Sequence, residues 1–182
     1  MQLRNSSSRY GLVSRVLHWG VALTVFGLFG LGLWMMGLDY YDSWRKQGPD
    51  LHKSIGLVLF AAMLLRVIWR FVSPPPPPLA SYSRMTRLGA AFGHAFLYVA
   101  LFAVMTAGYL ISTADGAGIP VFGLFEVPAL VSGLPQQADT AGQIHFYLAW
   151  AIVIFAGLHG LAALKHHFID RDVTLKRMLG RN

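Results

Sequence analysis

Four stretches of the chain are strongly apolar, and polar residues gather between them. They lie near Val13–Met36, Leu51–Val72, Leu88–Ser112 and Gly142–Lys165. A helix needs about 20 apolar residues to cross a bilayer. The pattern therefore predicts an all-α integral membrane protein: a four-helix transmembrane bundle, one domain over residues 1–182. The second stretch is the least clean. Its uncharged run is Ser54–Leu65, and Arg66 and Arg70 lie inside the rest. Arg70 is placed to snorkel from a helix end. Arg66 is deeper, and a charge inside a membrane marks a functional site by default. The first stretch is expected to be retained, because it exceeds the apolar core of a signal peptide and lacks a small-x-small cleavage site.

The connections carry their own signals. Asp39–Asp50 reads as a short polar loop, with Gly48–Pro49 as a turn before the second helix. Pro74–Pro78 cannot be helical and favours stiff polyproline II. It reads as a spacer between helices two and three rather than a docking ligand. Ala114–Ala141 contains Pro120-Val-Phe-Gly-Leu-Phe-Glu-Val-Pro128, too apolar for an ordinary solvated loop. It either lies on the bilayer surface or folds over the external mouth of the bundle, and we read it as a cap. Gly27, Gly30 and Gly32, and the Gly89/Gly93 pair, predict close helix packing by default. Room for a flat macrocycle would need small residues too.

Composition sharpens this picture. The chain is 55% hydrophobic and 13% charged, and a soluble domain carries roughly twice that charged fraction. Arg4, Arg9 and Arg15 precede the first helix, Arg66, Arg70, Arg84 and Arg87 flank the second connection, and Lys165, Arg171, Lys176, Arg177 and Arg181 end the chain. One side thus holds twelve of the 15 Lys and Arg residues, against Arg45, Lys46 and Lys53 on the other. The positive-inside rule places both termini in the cytoplasm. The net charge of +7 is then a topology signal and not the footprint of a nucleic-acid binder. There are no cysteines, which excludes disulfides, thiolate-held iron–sulfur clusters and covalent haem attachment.

Histidines supply the candidate chemistry. His145 and His159 are fourteen residues apart on the fourth helix. At about 100° per residue they leave nearly the same face, about 21 Å apart along the axis. His18 enters the first helix from the cytoplasmic side, at the depth of His159. His52 opens the second helix from outside, at the depth of His145. Singly, each is an interfacial residue. Two depth-matched pairs ask for a shared ligand, and two bis-histidine b-type haems fit, with six-coordinate iron suited to electron transfer. Zinc would gather three or four ligands at one level. His94 competes with His18 for the inner haem, or bonds a propionate or a quinone. His166 and His167 read as a polar helix end.

Several segments also resemble the bacterial cytochrome b561 family. They are Leu17-His18-Trp19, Leu51-His52-Lys53-Ser54-Ile55-Gly56, Arg66-Val-Ile-Trp-Arg70 with the prolines after it, Gly93-His94-Ala-Phe-Leu-Tyr98, Phe122-Gly-Leu-Phe125 and Ala163-Leu-Lys-His-His-Phe-Ile-Asp-Arg171. The match runs through nearly the whole chain. The resemblance implies a bacterial inner-membrane protein with two b haems on His18, His52, His145 and His159. Some members are similar to a superoxide oxidase that reduces ubiquinone; others look like cytochrome subunits serving a periplasmic or membrane redox partner. The first reading makes the chain a superoxide:quinone oxidoreductase. Arg45, Lys46 and Lys53 would then draw superoxide to the outer haem, or simply pair with Asp42, Asp50 or propionates. Arg66, Arg70, Arg84 and Arg87 would clamp inner propionates. The second reading is a quinol-linked subunit relaying electrons to a partner protein. A haem-free membrane anchor or transporter is the third, and it leaves the histidine pairs unexplained.

Overall fold

The structure, a computed structural model, describes residues 2–180; Arg181, counted above with the C-terminal basic residues, lies outside them. The four expected spans are helices: α1 (Leu12–Met36), α2 (Trp44–Val72), α3 (Arg84–Ser112) and α4 (Gln137–Phe168). All four are long and apolar enough to cross a membrane. In lipid a helix satisfies its backbone N–H and C=O groups internally, which is why these segments adopt it. Large apolar side chains face outward, as Leu23, Leu65, Val99 and Leu161 do, each more than half exposed. Lipid, not water, solvates such a surface. The chain is an all-α membrane bundle.

Three helix starts differ from expectation, α4 beginning at Gln137 and not near Gly142. α2 begins at Trp44, so Gly48–Pro49 lies inside it and is not a turn. The Asp42 carboxylate accepts the Trp44 N–H at 2.8 Å, satisfying a donor that the helix start leaves free. Pro49 removes one intrahelical bond near that end, where the loss is small. Gly48 is buried, and a Cβ there would stand 3.2 Å from Met35 Cγ. The glycine serves a close approach between helices. α3 begins at Arg84 because Ser83 Oγ accepts the Thr86 N–H at 3.1 Å. His94 therefore sits about three turns into α3.

The chain divides into two compact units. The first comprises the chain up to Ala22, Ala62–Val99 and the chain from Ile154. Here the proline run is a spacer packed by its neighbours. Asn5 Nδ2 donates to Ser73 O at 2.7 Å and Pro74 O at 3.1 Å, and Arg177 donates to Pro77 O at 3.0 Å. A short helix, α5 (Thr174–Leu179), ends at Gly180, whose φ of 74° is the left-handed cap that glycine takes without strain. Arg15 donates to Leu179 O at 3.0 Å and Trp19 to Met178 O at 3.3 Å, fastening α5 to the start of α1.

The second unit comprises Leu23–Ala61 and Ala100–Val153. It adds strands to a chain expected to be all helix. β1 (Ile119–Val121) and β2 (Phe125–Val127) pair antiparallel, with Val121 opposite Phe125. Ile119 and Val121 are both buried, the period-two pattern of a strand. The turn is closed by Leu124 N–H donating to Val121 O at 2.9 Å. Phe122 (φ 49°) and Gly123 (φ 70°) take positive angles at the centre of this turn, within the three-residue connection from Val121 to Phe125. Ser54 Oγ accepts the Phe122 N–H at 3.0 Å and donates to Asp50 O at 2.8 Å. Thr113 donates to Val131 O at 2.9 Å, and Gln137 Nε2 to Leu110 O at 2.9 Å. The inner face of the 114–141 segment is thus fixed onto α2, α3 and α4, while the tip stays exposed.

Four of the five glycines expected to pack helices closely behave differently, Gly32 being the exception. A Cβ at Gly27, Gly30, Gly89 or Gly93 would meet nothing within 4 Å. These positions border open space and are not close helix contacts.

Candidate functional site

The helices bring the depth-matched histidines together, one pair in each unit. In the first unit, His18 of α1 and His159 of α4 have ring centres 6.3 Å apart, with planes inclined at 65°. In the second, His52 of α2 and His145 of α4 have ring centres 6.0 Å apart, inclined at 66°. All four are partly buried.

The outer pair owes its orientation to α3. His145 Nδ1 lies 2.8 Å from Val104 O. A carbonyl can only accept, so Nδ1 carries the proton and Nε2 keeps its lone pair. Gly108 makes this approach possible, because a Cβ there would stand 3.1 Å from both Nδ1 and Cε1 of His145. Gly32 lies beside His52, where a Cβ would be 3.5 Å from Cε1. His52 Nδ1 is buried with no protein partner. Neither Val104 nor Gly108 was expected from sequence; a backbone acceptor leaves no trace in residue type.

The inner pair is set by charge. Arg66 Nη2 lies 2.9 Å from His18 Nδ1, and Arg66 Nε donates to Tyr98 OH at 2.9 Å. A guanidinium only donates, so His18 Nδ1 is the acceptor and its proton sits on Nε2, the tautomer opposite to His145. His94 is exposed, with its ring centre 5.2 Å from that of His159. A small cavity of about 40 Å³ is lined by Tyr10, Ser14, Arg66, Trp69, Arg70 and Tyr98, among others. It joins Arg66 and Arg70, two of the four arginines expected to act at the inner site. Arg87 instead donates to Ala80 O at 3.2 Å, and Arg84 is exposed.

The three outer cations lie in α2, in the unit of the outer pair. Lys53 Nζ pairs with Asp50 at 2.9 Å. Arg45 donates to Leu38 O at 3.1 Å and lies over the Tyr40 ring. Lys46 is exposed. Elsewhere, His166 is more than a polar helix end: its Nδ1 lies 2.8 Å from Asp170 Oδ2 and 3.2 Å from Asp172 Oδ2. Lys165 also pairs with Asp170, at 2.7 Å, and Tyr82 OH donates to Asp172 at 2.9 Å while bonding Thr174. These bonds tie the end of α4 to α5 and the second connection.

Comparison with known proteins shows the family. Residues 9–181 match the family described as prokaryotic cytochrome b561. The chain is 56% identical over 182 residues to cytochrome b561 homolog 2 of Escherichia coli, covering 100% of this chain and 97% of that relative. It is 30% identical over 172 residues to a protein of Yersinia pestis named probable superoxide oxidase CybB, covering 94% and 96%. Cytochrome b561 homolog 1 of Escherichia coli is 27% identical over 185 residues, covering 96% and 98%.

Proposed function

The chain belongs to the prokaryotic cytochrome b561 family, membrane electron-transfer proteins of the bacterial inner membrane, and from that premise we propose that it binds two b haems and carries electrons from superoxide to ubiquinone. His18 and His159 would hold one haem, and His52 and His145 the other, with both termini on the cytoplasmic side.

The observation that carries this reading is the spacing of the ring centres. A metal held between two imidazoles, about 2 Å from each nitrogen, puts the ring centres roughly 6 Å apart. The two pairs stand at 6.3 and 6.0 Å. The donors also fit, since the set is imidazole alone and the chain has no cysteine. The unpartnered His52 Nδ1 is a buried polar group whose desolvation costs about 1–3 kcal/mol, and a bound group and its water would offset that. Bis-histidine haem supplies a one-electron carrier with no position open to dioxygen.

The residues around each pair then have distinct tasks. Val104 O holds the His145 ring by its Nδ1 proton, leaving Nε2 free to coordinate. His18 can coordinate through Nε2 only if the proton moves to Nδ1, and Nδ1 then no longer accepts from Arg66. Arg66 is released toward an anion such as a propionate, with Arg70 beside the same cavity. His94 offers a further polar group at the inner pair, for a propionate or a quinone head group. Outside, Arg45, Lys46 and Lys53 would raise the local concentration of superoxide. Each superoxide gives up one electron and leaves as dioxygen; two electrons and two protons convert the quinone to quinol.

One observation favours the relay subunit instead. Lys53 is paired with Asp50 and Arg45 is engaged with Leu38, which blunts the basic lure. Stopped-flow haem absorbance separates the two. A superoxide pulse should reduce the oxidised protein rapidly, ubiquinone should reoxidise it, and Lys53→Gln should slow the first phase several-fold with haem content intact. A signal that ignores superoxide but responds to quinol would establish the relay. Equal rates in Lys53→Gln would remove that lysine from the capture step.

A further inference from the structure

We infer that the tip of the β1–β2 hairpin is a membrane anchor, seated in the outer leaflet of the bilayer. Phe122 is 51% exposed, Leu124 82%, Phe125 60% and the nearby Leu130 81%. Turns that face water are built from Gly, Asn, Asp and Ser. This one presents a phenylalanine at φ 49°, an angle bulky residues rarely adopt. Asparagine would take it more readily, so the exposed ring is kept against a local preference.

Depth identifies what the tip meets. Phe122 N–H is bonded to Ser54 Oγ, and Ser54 is the first residue of the uncharged run of α2, immediately after Lys53. On the same flank, Tyr109 OH in the last turns of α3 donates to Pro128 O at 2.8 Å and accepts the Leu130 N–H at 2.6 Å. Both anchors belong to the edge of the apolar band, so the hairpin lies level with the bilayer surface and does not stand above it. Tyr40, Tyr41 and Trp44 are exposed in the same unit, and amphipathic aromatic rings concentrate at that level. A partner protein would bring apolar cover of its own; here the lipid that surrounds the helices already lies at the depth of the tip.

The absence of cysteine makes Leu124→Cys the sole thiol for a nitroxide label. The labelled holoprotein is placed in phospholipid nanodiscs, and spin relaxation is compared with oxygen, with a water-soluble nickel chelate and under nitrogen. Val99→Cys, on the exposed face of α3, gives the lipid reference. Oxygen, which partitions into lipid, should relax the label at residue 124 several-fold more than the chelate does. The reverse order would place the tip in water and overturn the inference. Exclusion of both reagents would mean that protein or cofactor covers the tip, which overturns it equally.

Discussion

His145 and His18 carry their protons on opposite nitrogens, and the difference sets what each needs from its neighbours. His145 is held by Val104 O through a gap that Gly108 leaves open. Gly108→Ala would press a methyl against the imidazole, an overpacking worth about 1–3 kcal/mol. The expected result is a protein that still inserts but loses the outer haem, with pyridine-haemochrome titration falling from two haems per chain toward one. Two haems with unchanged potentials would refute that role. Arg66 poses the inverse case, because under the proposed ligation its contact with His18 would have to break for coordination through Nε2. Arg66→Leu should lower haem content by up to half if the guanidinium is needed to clamp a propionate. Full occupancy at normal potentials would count against the clamp. The histidine pairs were legible in the sequence because spacing and depth are properties of residue positions. Arg66 was legible because a charge inside an apolar run stands out. Val104 and Gly108 were not, since every residue has a carbonyl and nothing marks one glycine among 19.

At the scale of elements, hydrophobic length located all four spans, and local punctuation misplaced their ends. Gly48–Pro49 has the composition of a turn, yet the contact of Gly48 with Met35 and the cap from Asp42 carry α2 through it. The hairpin was hidden for a related reason. Its strands have three residues each, too few for a period-two pattern to emerge from a loop already rich in apolar residues. α5 depends on side chains at the close of α4. Burial alone would raise the Asp172 carboxyl, but hydrogen bonds from Thr174 and Tyr82 and the neighbouring His166 outweigh it and hold the group below its ordinary 3.8. Lys165 does the same for Asp170. Groups with depressed values stabilise the fold above about pH 4 and lose that contribution as pH falls through their folded values. The protection of the α5 amides, taken relative to intrinsic exchange at each pH, should therefore fall several-fold below about pH 4, and Asp172→Asn should reproduce the change at neutral pH. Protection unchanged from pH 6 to pH 3 would show that α5 is held by other contacts.

The whole molecule is organised by its solvent. Apolar side chains face outward along four helices, and charge gathers toward and beyond their ends, with Arg66 the deeper exception. Each compact unit encloses its own histidine pair and its own means of orienting it: a backbone carbonyl in one, an arginine in the other. Composition and apolar length were enough to read the membrane class, because it follows from transfer energies that add along the chain. The division of labour between the two units was not readable, since it rests on which partner each ring nitrogen meets.

The bond between His145 and Val104 has a consequence for genetics. Val104 O also receives the helical N–H of Gly108, so the peptide group that aims the ring survives any change of side chain at Val104. A scan by alanine substitution would leave the acceptor in place, report only lost packing at Val104, and register the bond only at the glycine that makes room for it. Selection on the bond meets the same limit: the buried side chain of Val104 answers only to packing, and the constraint on the bond itself is concentrated four residues later in a position that contributes no functional atom at all.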